Sequence, residues 1–184
     1  MITGGDIVKA AENSGLLGTP YSKLDCQALV EEVLKKAGLH IPNYRGSNHM
    51  WRELVYDRTP IVNKNGSGIP AGALVFIVRH DGGEVKRGYH DKDGNATHVA
   101  IYMGNGKVFE STTGGVQYNS VSRFTDFGKI KDVLYHKTTT DTAGGGGNDH
   151  AGEGQADMRK LMQSILDTIR EELERLEDLY NETF

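Results

Sequence analysis

Two residues in this chain have the types and the surroundings for thiol chemistry. Cys26 follows Asp25 where helical periodicity begins, and His98 opens an apolar run further along. A thiolate attacks a carbonyl, a thiol does not, and an imidazole takes the proton and later returns it to the leaving group. The start of a helix suits the nucleophile. Its unpaired backbone N–H groups and partial positive charge favour an anionic sulfur, and the same N–H groups can then hold an oxyanion. The chain has one cysteine, so an internal disulfide is impossible and a Cys-rich metal knot is excluded. A lone cysteine is more often a small buried hydrophobe, and position alone leaves that reading open for Cys26. Seven histidines are present. His40, His49, His80, His90 and His150 stand in polar contexts, which leaves His98 at the edge of a strand and His136, at the end of another, as its nearest competitor.

The elements that must position these groups are legible as periods. Asp6 to Ala11 reads as a short helix ending near Gly15. Leu24 to Ala37 is a stronger one: Leu29, Val30, Val33, Leu34 and Ala37 recur every three or four residues, and Gly38 stops it. Ser47 is the expected N-cap of a third helix through Met50, Trp51 and Leu54. After Pro60 the period changes. Ala73–Val78 reads as a buried strand, Thr97–Met103 as a second, and Lys107–Ser111 as its return after Gly104-Asn105-Gly106. Asp132–His136 is expected to be another. Helices first and strands later predict an α+β domain with N-terminal helices packed on an antiparallel sheet.

With the order of these motifs established, the chain resembles the NlpC/P60 family of cell-wall cysteine peptidases. The family's Asp-Cys-Ser-Gly-Leu-Val segment reads here Asp25-Cys26-Gln27-Ala28-Leu29-Val30. Its Pro-Gly-Asp-Leu-Val-Phe strand opening is similar to Pro70-Ala71-Gly72-Ala73-Leu74-Val75-Phe76. Its His-Val-Gly-Ile-Tyr-x-Gly-Asn-Gly is matched by His98 through Gly106, the most specific part. The likeness covers roughly residues 10–136. Gln27, Ala28 and Ala73 depart from the pattern and bear on subsites more than on chemistry. The resemblance implies a papain-like fold, with the cysteine on a helix and the histidine on the sheet. It implies hydrolysis of peptide bonds in peptidoglycan stem peptides through a thioester, with γ-D-glutamyl–diamino-acid bonds the commonest family target. It implies no cofactor.

The resemblance also implies a polar third residue on the strand after the hairpin, and the aligned position is Glu110. Strand geometry tests it. A two-residue Asn105-Gly106 turn pairs Ile101 with Glu110 and puts Glu110 on the face opposite His98. A three-residue Gly104-Asn105-Gly106 loop pairs Ala100 with Glu110, which then lies diagonal to His98 on one face, with Thr112 directly opposite. The expectation is a bulged hairpin with Glu110 orienting His98 and Thr112 in reserve; a carboxylate would stabilise the imidazolium more than an amide. Otherwise Glu110 is a solvated strand residue.

Three further residues are candidates for substrate binding. Tyr21 stands where the family has a tyrosine lining the groove, and its hydroxyl could donate to the oxyanion. Asp25 could meet a substrate amine or simply cap the helix. Arg45, in a loose match to an Arg-containing stretch of the family, could meet a carboxylate; an exposed loop arginine is the plainer reading. No metal is expected: Asp91-Lys92-Asp93-Gly94-Asn95 begins like a calcium loop but has Tyr102 where the bidentate Glu belongs, and His90, Asp91 and His98 lack zinc-ligand spacing.

The 184 residues, net charge −4 and 37% hydrophobic content suit one globular domain with a small appendage. Residues 1–140 form the predicted catalytic domain, mildly basic and without the basic cluster that nucleic acid would need. Residues 141–156, with four consecutive glycines, read as a flexible linker. Residues 157–184 are acidic and carry Met158, Met162, Ile165, Ile169, Leu173, Leu176 and Tyr180 at near-heptad spacing, so the expectation is a helix that self-associates into a homo-oligomer, with docking on a partner or on its own body as the alternatives. No apolar run reaches the roughly 20 residues of a membrane span, and the N-terminus lacks signal-peptide features. A phage or prophage product, an endolysin or part of tail machinery, fits that pattern. The rival readings are a silent wall-binding or structural module on the same fold, and a papain-like amidase or transferase acting on another amide.

Overall fold

The computed structural model describes residues 1–80 and 94–135. The expected linker 141–156 and tail helix 157–184 lie outside the described residues, as do His136 and the stretch from His90 to Asp93.

The chain begins with a two-residue strand, β1 (Ile2–Thr3), and the helix α1 (Gly4–Glu12). Thr3 caps α1 and closes a reciprocal capping box with Asp6, so the helix starts where its first free N–H groups find partners. Helix α2 (Cys26–Lys36) follows, capped by Asp25, whose carboxylate accepts from Ala28 N–H at 2.8 Å. Its buried positions Leu29, Val30, Val33 and Leu34 are those the sequence period picks out. Each such side chain taken fully out of water stabilises by about 1.5–3 kcal/mol. Gly38 ends the helix at φ +88°, a conformation a side chain would strain.

The third helix differs from expectation. Its cap is Gly46, at φ 111°, and Ser47 is the first residue of α3 (Ser47–His49), which runs on as a π-helical turn over Met50–Leu54. Ser47 does not cap because its hydroxyl donates instead to the carbonyl of Ala96. The next residue, Asn48, bonds both the side chain of Asn95 and the N–H of Ala96. This helix is thereby stitched to the strand that carries His98.

The remaining elements are β2 (Val55–Pro60), β3 (Leu74–Arg79), β4 (Asn95–Gly104), β5 (Lys107–Thr112), β6 (Gly115–Ser120), a 3₁₀ turn (Val121–Arg123), β7 (Asp126–Ile130) and β8 (Val133–Leu134). Six strands form one sheet in the order β2-β7-β3-β4-β5-β6, every neighbouring pair antiparallel. The strand expected over Asp132–His136 is shorter and belongs elsewhere: β8 pairs in parallel with β1. The architecture is the expected α+β arrangement, helices against an antiparallel sheet.

Alternation along β4 divides the interior. Val99 and Ile101 join Phe109, Leu74, Phe76 and the buried side of α2 in one apolar cluster. Ala100 and Tyr102 join Val75, Val108, Val121 and Phe124 in another. His98 and Glu110 have the parity of this second set. One turn shows why glycine is needed: Gly72, at φ +81°, lies so close to Gly4 that an added Cβ would meet its carbonyl oxygen at 2.2 Å.

Candidate active site

Cys26 is the first residue of α2 and is 8% exposed. The segment leading to it is tied to the β5–β6 hairpin. Gly18 N–H donates to Val116 O and Val116 N–H to Thr19 O, at 2.8 and 2.9 Å. Ser111, fully buried and next to Glu110, donates its hydroxyl to the carbonyl of Leu24. The backbone leading into Cys26 is thus fastened to the strand that carries Glu110. Gln27 works in the other direction, donating to Tyr44 O at 2.6 Å and to Glu31, so the departure from the family pattern beside Cys26 anchors the 44–45 loop.

His98 reaches the site through two irregularities. Val78 pairs with Ala96 and Ile77 with His98, leaving Thr97 as an extra residue in β4; such bulges re-aim the neighbouring side chain. At the other end Ile101 pairs with Phe109 and Tyr102 with Val108, a register that continues to Ala100 opposite Glu110. This is the predicted register, reached by another route. The turn is the two-residue Asn105-Gly106, both at positive φ, closed by Gly104 opposite Lys107. The shift comes from an extra residue, Met103, inside β4. A bulge in the strand, not a longer loop, keeps Glu110 on the face of His98.

The two side chains meet: His98 Nε2 lies 2.6 Å from Glu110 Oε2. Nδ1 is then the ring nitrogen left to exchange a proton with the sulfur. Burial works against a charged ring, but Cys26 and Glu110, by hydrogen bonding and by charge, overcome it and hold the imidazole up at about 9. Glu110 is 0% exposed. Burial pushes its carboxyl up, yet hydrogen bonds from His98 and Asn119 and the charges of Arg123 and His98 outweigh that and hold it below the usual carboxylate range. Thr112, the reserve, accepts from Gln117 and from Gly114 N–H instead.

Two partners of Glu110 were not foreseen. Asn119 donates to Oε1 at 2.8 Å, and Arg123 Nη2 donates to Oε2. Asn119 lies on β6, a short strand without an apolar run, so sequence alone gives it no face. Arg123 sits in the 3₁₀ turn, where no period marks it.

Tyr21 is 38% exposed and neighbours Cys26. Partial burial raises its phenol, and so do the charge and side chain of Cys26 and the charge of Asp25, while the Cys26 N–H lowers it. Asp25 is the helix cap, with Oδ1 so engaged. Arg45 is exposed, and it is its backbone N–H that is bonded, to His49 Nδ1 at 3.1 Å. Among the described residues no group of three or more His, Cys, Asp or Glu could hold a metal ion, and no helix is long and apolar enough to cross a membrane.

Residues 14–125, more than half of the chain, match the model of the NlpC/P60 family. The chain belongs to the NlpC/P60 family. A similar curated protein is the bifunctional muramidase/DL-endopeptidase CwlT of Bacillus subtilis, 30% identical over 119 residues, which are 61% of this chain and 30% of the relative. The chain therefore spans under a third of that protein's length. Among solved structures, the NlpC/P60 domain of peptidoglycan hydrolase SagA is 22% identical with a TM-score of 0.49, covering 70% of this chain and all of that one. An NlpC/P60 family protein from Bacillus cereus is 22% identical with a TM-score of 0.48, over 70% of this chain and 40% of that one. The matched stretch of this NlpC/P60 domain holds Tyr21, Cys26, His98, Glu110 and Asn119, as well as Arg123.

Proposed function

We propose that this NlpC/P60 domain is a cysteine peptidase that hydrolyses an amide bond in peptidoglycan stem peptides, with Cys26 as nucleophile, His98 as base and acid, and Glu110 orienting His98. The observation that carries the reading is the His98–Glu110 bond: a buried carboxylate 2.6 Å from a ring that Cys26 and Glu110 together hold up at about 9. Such an imidazole carries its proton through neutral pH and can hand it to a leaving amine.

The steps follow from the positions. Sulfur adds to the carbonyl carbon, and charge develops on the carbonyl oxygen. The Cys26 N–H and the Tyr21 hydroxyl converge beside the sulfur and are the donors for that oxygen. His98 protonates the amine as the C–N bond breaks, leaving a thioester on Cys26. Water then attacks, His98 takes its proton, and the acid leaves with the thiolate restored. Glu110 accepts from Nε2 throughout, so Nδ1 stays turned to the sulfur. The DL-endopeptidase named among the relatives supports a bond within the stem peptide as the target.

The test is digestion of purified cell walls, with mass spectrometry of the newly exposed amino ends. One new free amine from within the stem peptide is the expected product. New reducing sugar ends without new amines would overturn the assignment.

A further inference from the structure

Glu110 Oε2 has two donors: His98 Nε2 and Arg123 Nη2. The two nitrogens stand 3.4 Å apart. The guanidinium is half exposed, with its side chain 47% accessible against 0% for Glu110, and it lies over the Phe124 ring, 5.1 Å from the centroid. Phe124 is fully buried and packs beside the His98 ring at 5.8 Å. Val121 N–H, donating to Gly106 O, fixes the turn that bears Arg123 to the tip of the β4–β5 hairpin.

We infer that Arg123 is a positioning residue that clamps the Glu110 carboxylate and moderates its hold on the His98 proton, an inference that rests on the Cys26–His98 reading above. A buried carboxylate facing only an imidazole and an amide gains most when the imidazole is charged. It would then keep the proton that catalysis must release to the leaving amine. Arg123 supplies a permanent positive charge at the same oxygen, so Glu110 stays satisfied as an anion whether His98 is charged or neutral. The same cation stands against the imidazolium as a like charge. Cys26 from the start of α2, Glu110 from β5 and Arg123 from the 3₁₀ turn face His98; Tyr21 and Asp25 lie beside Cys26, neutral Asn119 bonds Glu110, and the β3 partner of His98 is the apolar Ile77.

The test needs no substrate, and the single cysteine makes the label unambiguous. The rate of Cys26 alkylation by iodoacetamide is followed against pH in the full chain and in Arg123→Gln and Arg123→Lys, each checked for folding by circular dichroism. The upper step of the profile reports loss of the His98 proton. Removing the cation in Arg123→Gln is expected to move that step to higher pH by roughly half a unit, the exposure of the guanidinium discounting the larger shifts of buried charges. Arg123→Lys, which keeps the charge, is expected to stay near the wild-type position. An upper step unmoved in Arg123→Gln, or moved equally in both variants, would overturn the inference. A wild-type profile with only a single step near the ordinary thiol range, about 8.5, would instead remove the Cys26–His98 pairing and this inference with it.

Discussion

His98 Nε2 and Glu110 Oε2 meet at 2.6 Å across two strands whose connecting turn, taken alone, would put them on opposite faces of the sheet. The extra residue in β4 reverses that parity, and the pair exists because of it. The carboxylate is inaccessible to water, so its charge acts on the ring with little screening.

Replacing Glu110 by Gln keeps the size and one acceptor oxygen but turns the other into a donor and removes the charge. Activity on wall fragments is expected to fall on the order of a hundredfold, the range of a general acid–base contribution. The alkaline limb of the pH profile is expected to move to lower pH, because the charge that supports the imidazolium is gone. This is opposite in sign to the shift expected of Arg123→Gln. A pH profile identical to wild type would show that the carboxylate does not act on the ring.

Asp25 serves as a cap and is proposed to meet a substrate amine with its remaining carboxylate oxygen. Asn caps a helix as well as Asp, whereas Ala costs about 1 kcal/mol. Asp25→Ala is therefore expected to lower the unfolding free energy by about that amount in urea titrations, and Asp25→Asn to leave it unchanged. If the amine contact is made, Asp25→Asn raises KM about tenfold with little change in kcat, the loss of one charged hydrogen bond. An unchanged KM would restrict Asp25 to capping.

The folded protein also has a pH signature. The His98 ring moves from 6.5 in its ordinary state to about 9. Its contribution to stability is fully present below 6.5 and is lost as the pH rises through about 9, because the folded state then gives up a proton the unfolded state released earlier. Glu110, held below its ordinary value, contributes above the usual carboxylate range and loses that contribution as the pH falls through its lowered value. Tm is expected to decline between pH 7 and 9.5 in wild type, and less steeply in His98→Gln. Equal slopes would contradict the assignment.

How far the sequence reached depends on what each residue relies on. Helix α2 was legible because its apolar spacing is local and Asp25 and Gly38 bracket it. Strands β3, β4 and β5 were legible as apolar runs, the last two joined by a Gly-Asn-Gly turn. Strand β2 was not, since four of its six residues are exposed, and β7 hides a buried Asp126 and a Gly128 within a short run. The pairing of His98 with Glu110 was legible because the family resemblance pointed to Glu110 and one strand register connects the two. The register was right and its cause was not, because a bulge within β4 leaves no mark that distinguishes it from a longer loop. Asn119 and Arg123 reach Glu110 only through tertiary placement of β6 and the turn after it, and no local spacing announces either.

The most direct measurement is the release of new amino ends from purified cell walls by the wild-type chain and by Cys26→Ala, followed to completion at pH 7. Wild type is expected to release them steadily. Cys26→Ala is expected to release none above background while keeping the wild-type Tm within a few degrees. Release by Cys26→Ala at the wild-type rate, or none by a folded wild-type protein, would contradict the account.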